Sequence, residues 1–319
     1  MSADRAAMLQ CLHEVQFPGV LSWRDAEPVR RDHATFLDEQ LAWCDDVAVA
    51  ARRAGTIGVG TPADYPNRVL DLGDQRVLVG IRHYGGDPAR PFVDVLAWTG
   101  RRLDVARTAD AAAGAYHAFS PPEVRIAGPA DDAPRPADGR AVRRDIVAVA
   151  GSLGEMLAAP APPGLDRVRV ADATVDEADA FVQTAYAAFN RRCPELIDRV
   201  PPTDRDRLEA CLAAGTLAWW TVDGERAGLL AVERQIGWLA LDGWLIEEEV
   251  AAPAWSGRGT AAAAQRRLAE DLARADPTAH PRTLFGTIDD ANLASHRTAA
   301  RAGRRPVTAW WFVAASVTD

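Results

Sequence analysis

The feature that most constrains this 319-residue chain is a run of small residues, Pro253–Ala261, between an apolar segment and an alanine-rich one. Residues from about 238 to 250 are largely apolar, carry three glutamates just before Val250 and predict a strand. Residues 259–273 are mostly strong helix formers. A turn between them presents unpaired backbone N–H groups at a helix N-terminus, where phosphate groups bind. Gly257 and Gly259 allow a close approach of the backbone to such a ligand. The segment therefore predicts an anion site.

Known turns of this kind differ in their sequences. A P-loop carries Lys followed by Ser or Thr after its last glycine, whereas Thr260 and Ala261 follow Gly259 here. A dinucleotide-binding turn has the pattern G-x-G-x-x-G, of which only the first two glycines are present. A glycine turn with no ligand remains an alternative.

A second segment lies about thirty residues later in the sequence. Thr283–Thr287 predicts a strand, and residues 289–303 predict a helix that begins at an Asp or Asn and ends at a glycine. Together the two segments resemble the GNAT acyltransferase superfamily. Its pyrophosphate-binding turn has the pattern Q/R-x-x-G-x-G/A. Its later helix opens with Asn and has a small residue three positions on, here Asn292 and Ser295.

The resemblance covers about residues 165–319 and departs from the family at two positions. Ser256 stands where the family usually has Gln or Arg, and Ala299 stands where many members have a Tyr that protonates the CoA thiolate. The resemblance implies acyl-CoA as co-substrate and no metal. The CoA-binding residues that it implies are Val250, Ala251, Ala252, Ser256, Gly257, Arg258, Gly259, Thr260, Ala261, Asn292 and Ser295.

Candidate catalytic residues are set by the need to place an amine beside a thioester and to accept its proton. Strand alternation predicts that Glu247 and Glu249 share one face, with Glu248 on the other. In the GNAT family the face that includes the position of Ala251 looks toward the acyl group. The resemblance therefore implies Glu247 or Glu249, with slight preference for Glu247, as base or as the group that holds the ammonium while water takes its proton. His296 can replace the missing Tyr as acid, and Ser295 can donate to the thiolate. The alternatives are a solvated strand end, a surface histidine and a small packing residue.

The chain predicts two domains, because a proline-rich segment at 158–164 interrupts regular structure. We expect a domain at 1–157, a linker at 158–164 and a domain at 165–319. The first half predicts helix at 33–54 and 103–119, strands at 68–72, 75–82, 92–98 and 123–126, and helix at 139–157. The second half predicts a first strand at 167–170, helices at 176–190 and 203–214, a hairpin at 217–222 and 226–232 with an Asp-Gly turn, and a last strand at 307–313.

The two halves share an order of elements at an offset of roughly 155 residues, which favours a tandem, GNAT-like pseudo-repeat. The expected fold class is therefore α/β, more closely an α+β mixed sheet, with a degenerate N-terminal domain. In that half the corresponding turn, Thr99–Leu103, has one glycine and two arginines. We expect it to bind no CoA and the domain to serve as a scaffold and as a wall of the acceptor site.

Composition limits the partners. A net charge of −9 argues against nucleic acid as the main partner. The chain has no run of about 18 apolar residues and no signal-peptide core near its start, so we expect a cytoplasmic protein without a membrane partner. Its four cysteines occur singly, without zinc-site spacing.

These observations predict an acyl-CoA-dependent N-acyltransferase that acts on a primary amine. The tandem organisation resembles the N-acyltransferases that attach fatty acyl chains to the glucosamine of teicoplanin-type glycopeptide antibiotics, which implies a role in antibiotic biosynthesis. Acetylation of an aminoglycoside or another small amine is the alternative. A non-catalytic CoA-sensing or CoA-binding protein is an alternative of a different class. The acyl chain length and the oligomeric state stay open.

Overall fold

The computed structural model describes residues 2–316, apart from the side chains of Ser2 and Trp238. The chain divides into two compact units. Unit 1 comprises the described residues up to Val147 together with those from Val307 onward, and unit 2 is Ala148–Pro306.

Unit 1 has a mixed sheet with helices. Its helices are α1 (Ser2–Cys11), α2 (Ala26–Ala42), α3 (Val47–Ile57) and α4 (Val105–Ala115). Its strands are β1 (Arg68–Asp71), β2 (Arg76–His83), β3 (Pro91–Trp98), β4 (Glu123–Pro129), the first part of β5 (Val142–Ser152) and β11 (Arg305–Ala314). The order is β1-β2-β3-β4-β11-β5. Strands β3 and β4 pair parallel, and β11 pairs antiparallel with β4.

Unit 2 has the same kind of sheet. Its helices are α5 (Leu153–Ala158), α6 (Val175–Arg192), α7 (Arg205–Ala213), α8 (Thr260–Ala275) and α9 (Leu293–Arg301). Its strands are the last part of β5, β6 (Val168–Asp172), β7 (Leu217–Val222), β8 (Glu225–Ile236), β9 (Asp242–Ala251) and β10 (Thr283–Asp289). The order is β5-β10-β9-β8-β7-β6.

Side chains alternate between the two faces of the unit 2 sheet, and each face has its own hydrophobic core. Trp220 and Leu230 pack with the alanine-rich side of α8, whereas Trp219 and Leu229 pack with residues of α6 and α7 such as Val182. Neighbouring side chains on a strand point to opposite faces, so a sheet with helices on both faces buries them all. This arrangement fixes β9 between α8 and the α6–α7 pair.

The two central strands of unit 2 pair over a short distance. In the described chain, the parallel register of β10 with β9 joins Thr283–Phe285 to Gly243–Leu245. Strand β9 then continues to Ala251 and β10 to Asp289. The two strands therefore carry their C-terminal ends past the point where they pair with each other, and those ends hold the candidate site.

Two predicted helices are wrong. The segment predicted as helix at 139–157 is β5 followed by the short α5, because β-branched residues such as Val142, Ile146 and Val149 form a buried strand. A continuous apolar run does not distinguish a buried strand from a buried helix by periodicity. The segment predicted as one helix at 33–54 is α2 and α3, since the side chain of Asp46 caps a new helix.

The two compact units divide after Val147 and after Pro306, and not at the linker predicted at 158–164. The last strand, β11, pairs with β4 in unit 1, and β5 runs through residue 147, where the division falls. In unit 2, the guanidinium of Arg266 donates to the carbonyls of Met156 and Ala159, so the start of the proline-rich segment is fixed to α8. The predicted roles of the two domains stay predictions.

The other predicted strands and helices occur within a few residues of the predicted bounds, and the predicted α/β class with mixed sheets is confirmed. Strands β1, β2 and β3 with α4 and β4 correspond in order to β7, β8 and β9 with α8 and β10. An irregular segment at 130–141 comes after β4, whereas α9 comes after β10. The halves therefore share their central elements and differ in the segment that comes next in the chain.

Candidate active site

A β-bulge in β9 decides where its three glutamates point. Ala231 of β8 lies opposite Glu248 and Val232 lies opposite Ile246, so Glu247 is the extra residue. Such a residue interrupts the alternation of side chains. Glu247 and Glu248 consequently both contact residues of the α6–α7 side, and Glu249 contacts α8. The prediction that Glu247 and Glu249 share a face is wrong, because that prediction assumed an unbroken strand.

Glu248 is a buried carboxylate surrounded by hydrogen-bond donors. It is 4% exposed and accepts from the Tyr186 hydroxyl at 3.2 Å, the Thr203 amide at 3.1 Å and the Glu249 amide at 2.9 Å. Burial raises the pKa of Glu248 to about 7, and the Thr203 and Tyr186 donors partly oppose that shift. Among the described residues its partners carry no positive charge. Glu248 thus changes its protonation state near neutral pH.

Glu247 is paired with an arginine. Its carboxylate lies 2.9 Å from Nη1 of Arg207 on α7, and its side chain is 9% exposed. Burial raises the pKa of Glu247, Arg207 opposes the shift, and the nearby Glu233 adds to it. Arg207 favours the charged form but burial outweighs it, so Glu247 differs from Glu248 in having a cationic partner.

Glu249 belongs to a buried polar cluster on the other face. It accepts from Nε2 of Gln265 at 2.6 Å, and Nε of Arg304 donates to Oε1 of Gln265 at 2.9 Å. Nη2 of Arg304 lies 4.0 Å from the Glu249 carboxylate. Burial raises the pKa of Glu249 to about 7, the same value as for Glu248, and lowers that of Arg304, and each charge opposes the shift of the other. The cluster joins β9 to α8 and to the residue before β11.

The segment between α6 and α7 lies over the ends of β9 and β10. The Thr203 hydroxyl donates to the Glu247 carbonyl at 2.6 Å. Nε of Arg199 lies 2.7 Å from the carboxylate of Asp289, which is 5% exposed at the end of β10. This segment therefore contacts both strands at the position where they no longer pair with each other.

The turn after β9 has the geometry of an anion site. Gly257 and Gly259 have φ values of 76° and 77°, which favour glycine, and Gly259 is the N-cap of α8 without a side-chain cap. The first amides of a helix have no partner within it, so those of Thr260 and Ala261 face outward from the N-terminus of α8. A Cβ on Gly257 would meet no described atom within 4 Å. The predicted strand, turn and helix are present.

Side chains around this turn fit a diphosphate. Nη1 of Arg301, an exposed residue of α9, lies 3.6 Å from the position of a Cβ on Gly259. The Thr260 hydroxyl is buried and has no hydrogen-bond partner among the described residues. Arg258 stacks on Trp255 at 5.1 Å. Two arginines, an unsatisfied hydroxyl and open amides are the groups that bind phosphate oxygens.

The remaining predicted CoA residues lie on β9 and in the turn. Val250 packs on the α6–α7 side, and Ala251 packs on the α8 side. The Ala252 amide donates to the Ala227 carbonyl at 2.9 Å, and its own carbonyl accepts from the amides of Trp255 and Ser256. Ser256 is therefore part of the turn that precedes Gly257.

Helix α9 begins as predicted. The side chain of Asn292 accepts from the Ser295 amide at 3.2 Å, so Asn292 is the N-cap. His296 donates its backbone amide to the Asn292 carbonyl at 3.2 Å. Ala299 is 1% exposed, so a small apolar side chain is packed where many family members have a tyrosine. These contacts of Ser295 and His296 are with their own helix.

Three residues of the site were missed at the level of the sequence: Glu248, Tyr186 and Arg301. Glu248 was assigned to the opposite face because a bulge has no sequence signature here. Tyr186 lies on α6, 62 residues before Glu248, so nothing local joins them. Arg301 lies at the end of α9, beyond the Asn292 and Ser295 positions that carry the resemblance, and it meets Gly259 of a different helix only by packing.

Two further observations concern the described residues only. They contain no group of three or more His, Cys, Asp or Glu side chains placed to hold a metal ion. None of their helices is both long and apolar enough to cross a membrane.

Comparison with known proteins gives matches among solved structures. No family model and no curated sequence matches the chain. A GCN5-related N-acetyltransferase from Sphaerobacter thermophilus aligns over 86% of this chain and 96% of its own, at 15% identity and a TM-score of 0.50. An acetyltransferase of the GNAT family from Colwellia psychrerythraea aligns over 79% and 86%, at 11% identity and a TM-score of 0.47. A tandem GNAT protein from the clavulanic acid biosynthesis pathway aligns over 77% and 80%, at 13% identity and a TM-score of 0.40.

The first of these alignments covers 86% of this chain, which is more than either unit alone. At 15% identity it concerns the fold alone. The chain therefore has the fold of the GCN5-related N-acetyltransferases.

Proposed function

We propose that this protein transfers an acyl group from acyl-CoA to a primary amine, with the chemistry in unit 2. The observation that carries the proposal is the place of Glu248, a buried carboxylate that accepts from the Tyr186 hydroxyl at 3.2 Å on the strand that leads into the glycine turn. Burial raises its pKa to about 7. A general base works best when its pKa lies near the working pH. The turn itself supplies amides and arginines for the phosphates of CoA.

The chemistry needs one proton acceptor. Amide formation joins the amine nitrogen to the acyl carbon, breaks the carbon–sulfur bond, and releases a thiolate and one proton from the nitrogen. Glu248 takes that proton. Because Glu248 is only 4% exposed, the half-buried Tyr186 relays the proton to it. The Tyr186 hydroxyl gives its proton to Glu248 while the same oxygen takes a proton from the amine nitrogen. A thiolate leaves without a dedicated acid, which is consistent with Ala299.

The predicted catalytic residues keep other roles in this proposal. Glu247, which is paired with Arg207, and the nearby Glu233 attract the amine in its ammonium form, and the ammonium loses its extra proton to water before the neutral nitrogen attacks the acyl carbon. Glu249 holds β9 to α8 through Gln265. Ser295 and His296, as donors near the thiolate, stay predictions that single substitutions test.

The CoA-binding set proposed here is the turn from Ser256 to Ala261 with the end of β9 and the start of α9, and Arg301 is added to it. As acceptor we propose the amino sugar of a glycopeptide antibiotic, which rests on the tandem organisation of the sequence. The acidic groups near Glu247 suit any amine, so an aminoglycoside or another small amine is the alternative acceptor. The acyl group proposed with the glycopeptide acceptor is of medium or long chain, which rests on the same tandem organisation.

A CoA-binding protein without catalysis is the second candidate. It is favoured by two departures from the family pattern, Ser256 in the place of Gln or Arg and the buried Ala299 in the place of a tyrosine. It predicts CoA binding through the same turn but no product. The two candidates therefore differ in turnover and agree in binding.

The test is an assay of the full chain with acetyl-, octanoyl- and decanoyl-CoA against amino sugars, aminoglycosides and glycopeptide aglycones. We expect release of CoA thiol and a product heavier by the acyl group with at least one pair. Tyr186→Phe should reduce turnover while CoA affinity stays. CoA binding by calorimetry without product from any pair would favour the non-catalytic candidate, and no CoA binding would contradict both.

A further inference from the structure

Unit 1 contains a cavity that the proposed acyl transfer does not use. It has a volume of about 290 Å³ and lies between the C-terminal half of α3, the end of β2 and Tyr65. Its walls include Arg52, Arg53, Ile57, Tyr65, Arg82 and His83. Three arginines thus surround one small cavity, and the groups that balance their charge decide what the cavity can bind.

The arginines are fixed in place by neutral acceptors. Arg53 donates to the carbonyls of Tyr65, at 3.2 Å, and Ile81. Arg82 donates to the Ile81 carbonyl at 2.8 Å and to Gln40 at 3.2 Å. Carbonyl and amide oxygens orient a guanidinium but do not neutralise it. Both side chains are therefore positioned while their charges persist.

Few carboxylates balance this charge. Nε of Arg82 lies 3.7 Å from Asp94, but both Asp94 oxygens accept from Arg125, at 2.6 and 2.9 Å. Within the described residues, Arg53 has no carboxylate at ion-pair distance, and the cavity lining contains no Asp or Glu. Arg52 is exposed at the rim. Burial together with Arg82 lowers the pKa of Arg53 to about 10, so it stays charged at neutral pH.

The cavity also has an apolar, aromatic side. The His83 ring packs near Tyr65, with centroids 6.1 Å apart, and edge-on to Phe119 at 5.4 Å. Nε2 of His83 is buried and has no hydrogen-bond partner among the described residues. A buried polar atom of this kind costs free energy unless a ligand or water satisfies it.

We propose that this cavity binds a compact organic oxyanion, with its carboxylate or phosphate group against Arg52 and Arg53 and a flat apolar body against Tyr65 and His83. Arginine pairs with planar or tetrahedral oxyanions through several donors. The volume holds roughly ten non-hydrogen atoms, since one water takes about 30 Å³. A benzoate-sized ligand fits that limit, whereas CoA does not. The site is independent of the proposed acyl transfer.

The test is calorimetric titration of the full chain with benzoate, phenyl phosphate and uncharged benzamide. Both anions, or one of them, should bind saturably, and benzamide should bind at least about tenfold more weakly. The anion that binds more tightly identifies the preferred group. Arg52→Gln should weaken binding about threefold to tenfold, the scale of one charge-assisted hydrogen bond at an exposed position. Arg31→Gln, an exposed arginine on α2, is the matched control and should leave binding unchanged.

A second measurement locates the site. In NMR spectra of protein with isotope-labelled histidine, the bound anion should shift the resonances of the His83 ring and leave those of the His13 ring unchanged. The variant His83→Gln assigns the His83 resonances. Equal binding of benzamide and benzoate, equal effects of Arg52→Gln and Arg31→Gln, or no saturable binding of either anion would each overturn the proposal. Anion binding that leaves the His83 resonances in place would also overturn it.

Discussion

The turn after β9 in unit 2 and the turn after β3 in unit 1 have the same place in the order of elements, but the helix N-termini that follow them are capped differently. After β9, the helix begins at Gly259 without a side-chain cap, and Arg301 lies beside it. After β3, the side chain of Asp104 accepts from the Arg107 amide and caps α4. The helix N-terminus in unit 1 therefore already has a carboxylate, whereas the one in unit 2 is open to an external anion.

Gln75 closes the turn of unit 1 further. Its Oε1 accepts from the Asp104 amide at 3.1 Å, and its Nε2 lies 3.7 Å from the position of a Cβ on Gly100. Backbone groups that would face a phosphate are thus occupied by the protein itself. A glycine with positive φ is present in both turns, so the glycine alone does not make an anion site.

The strands before the two turns have similar backbones but different side chains at one position. Each pairs with its parallel neighbour over three residues, and each has a bulge, with Leu96 as the extra residue in β3 and Glu247 in β9. The bulge of unit 1 adds an apolar side chain, while that of unit 2 adds a carboxylate beside Glu248. Similar backbones thus serve packing in one unit and, as we propose, proton transfer in the other.

The largest expected effect is on turnover. Glu248→Gln should lower kcat by about 10²-fold or more, the scale of lost general-base catalysis, with CoA affinity retained. Because burial raises the pKa of Glu248 to about 7, activity of the unsubstituted protein should rise with pH through about 7, as the carboxyl loses its proton. That rise should be absent in Glu248→Gln. Glu225→Gln, an exposed glutamate on β8, is the control. A full rate and an unchanged pH profile in Glu248→Gln would return the base to Glu247 or Glu249, tested in the same assay.

The next effect separates the two turns directly. Gly259→Asp should weaken CoA binding about tenfold to a hundredfold, because it places a carboxylate where phosphate oxygens are expected. Gly100→Asp is a matched control, since Gly100 and Gly259 have φ values of 91° and 77° and the strain of a side chain is similar. Calorimetry with CoA measures the affinity, and circular dichroism checks the fold. Equal loss in both variants would mean that the two turns do not differ in their affinity for anions.

A smaller effect concerns stability. The pKa of Glu248 is about 7 in the folded protein and 4.5 in a free side chain, so the folded state binds more protons between these values. The free energy of unfolding should therefore fall as pH rises from about 4.5 to about 7. The contribution is at most about 3 kcal/mol, since one pKa unit corresponds to about 1.4 kcal/mol. Urea unfolding of Glu248→Gln should show a flatter pH dependence than that of Glu225→Gln.

The smallest effect concerns Arg301. Arg301→Gln should weaken CoA binding about threefold to fivefold, because an exposed arginine contributes little in water, and the difference should decrease at high salt. Arg297→Gln on the same exposed helix is the control. If both substitutions have the same effect at low salt, the general charge of α9 is responsible, and Arg301 has no specific role.

Much of the site could be predicted because it is local in the sequence. Small residues between Val250 and Thr260, strong helix formers after them and an Asn at the start of α9 have short-range signatures, and the structure contains each of these elements. The cap of α9 could be predicted because Asn292 and Ser295, which form it, are only three positions apart in the sequence. The residues of the CoA set stay predictions, although the turn that contains them is present.

What the sequence by itself determined is therefore the order of strands and helices and the turn that opens α8. Only the tertiary structure decided that β5 is a strand, because burial on both faces outweighs the helix propensity of its alanines. Only the tertiary structure decided that Glu248, and not Glu249, meets Tyr186, because a bulge depends on how two strands pair. The same holds for the cavity of unit 1, where Arg53 and His83 are 30 residues apart and meet by packing. Interactions between residues that are near in sequence determine where helices and turns form. Strand pairing and burial determine which side chains from distant segments lie together in a site.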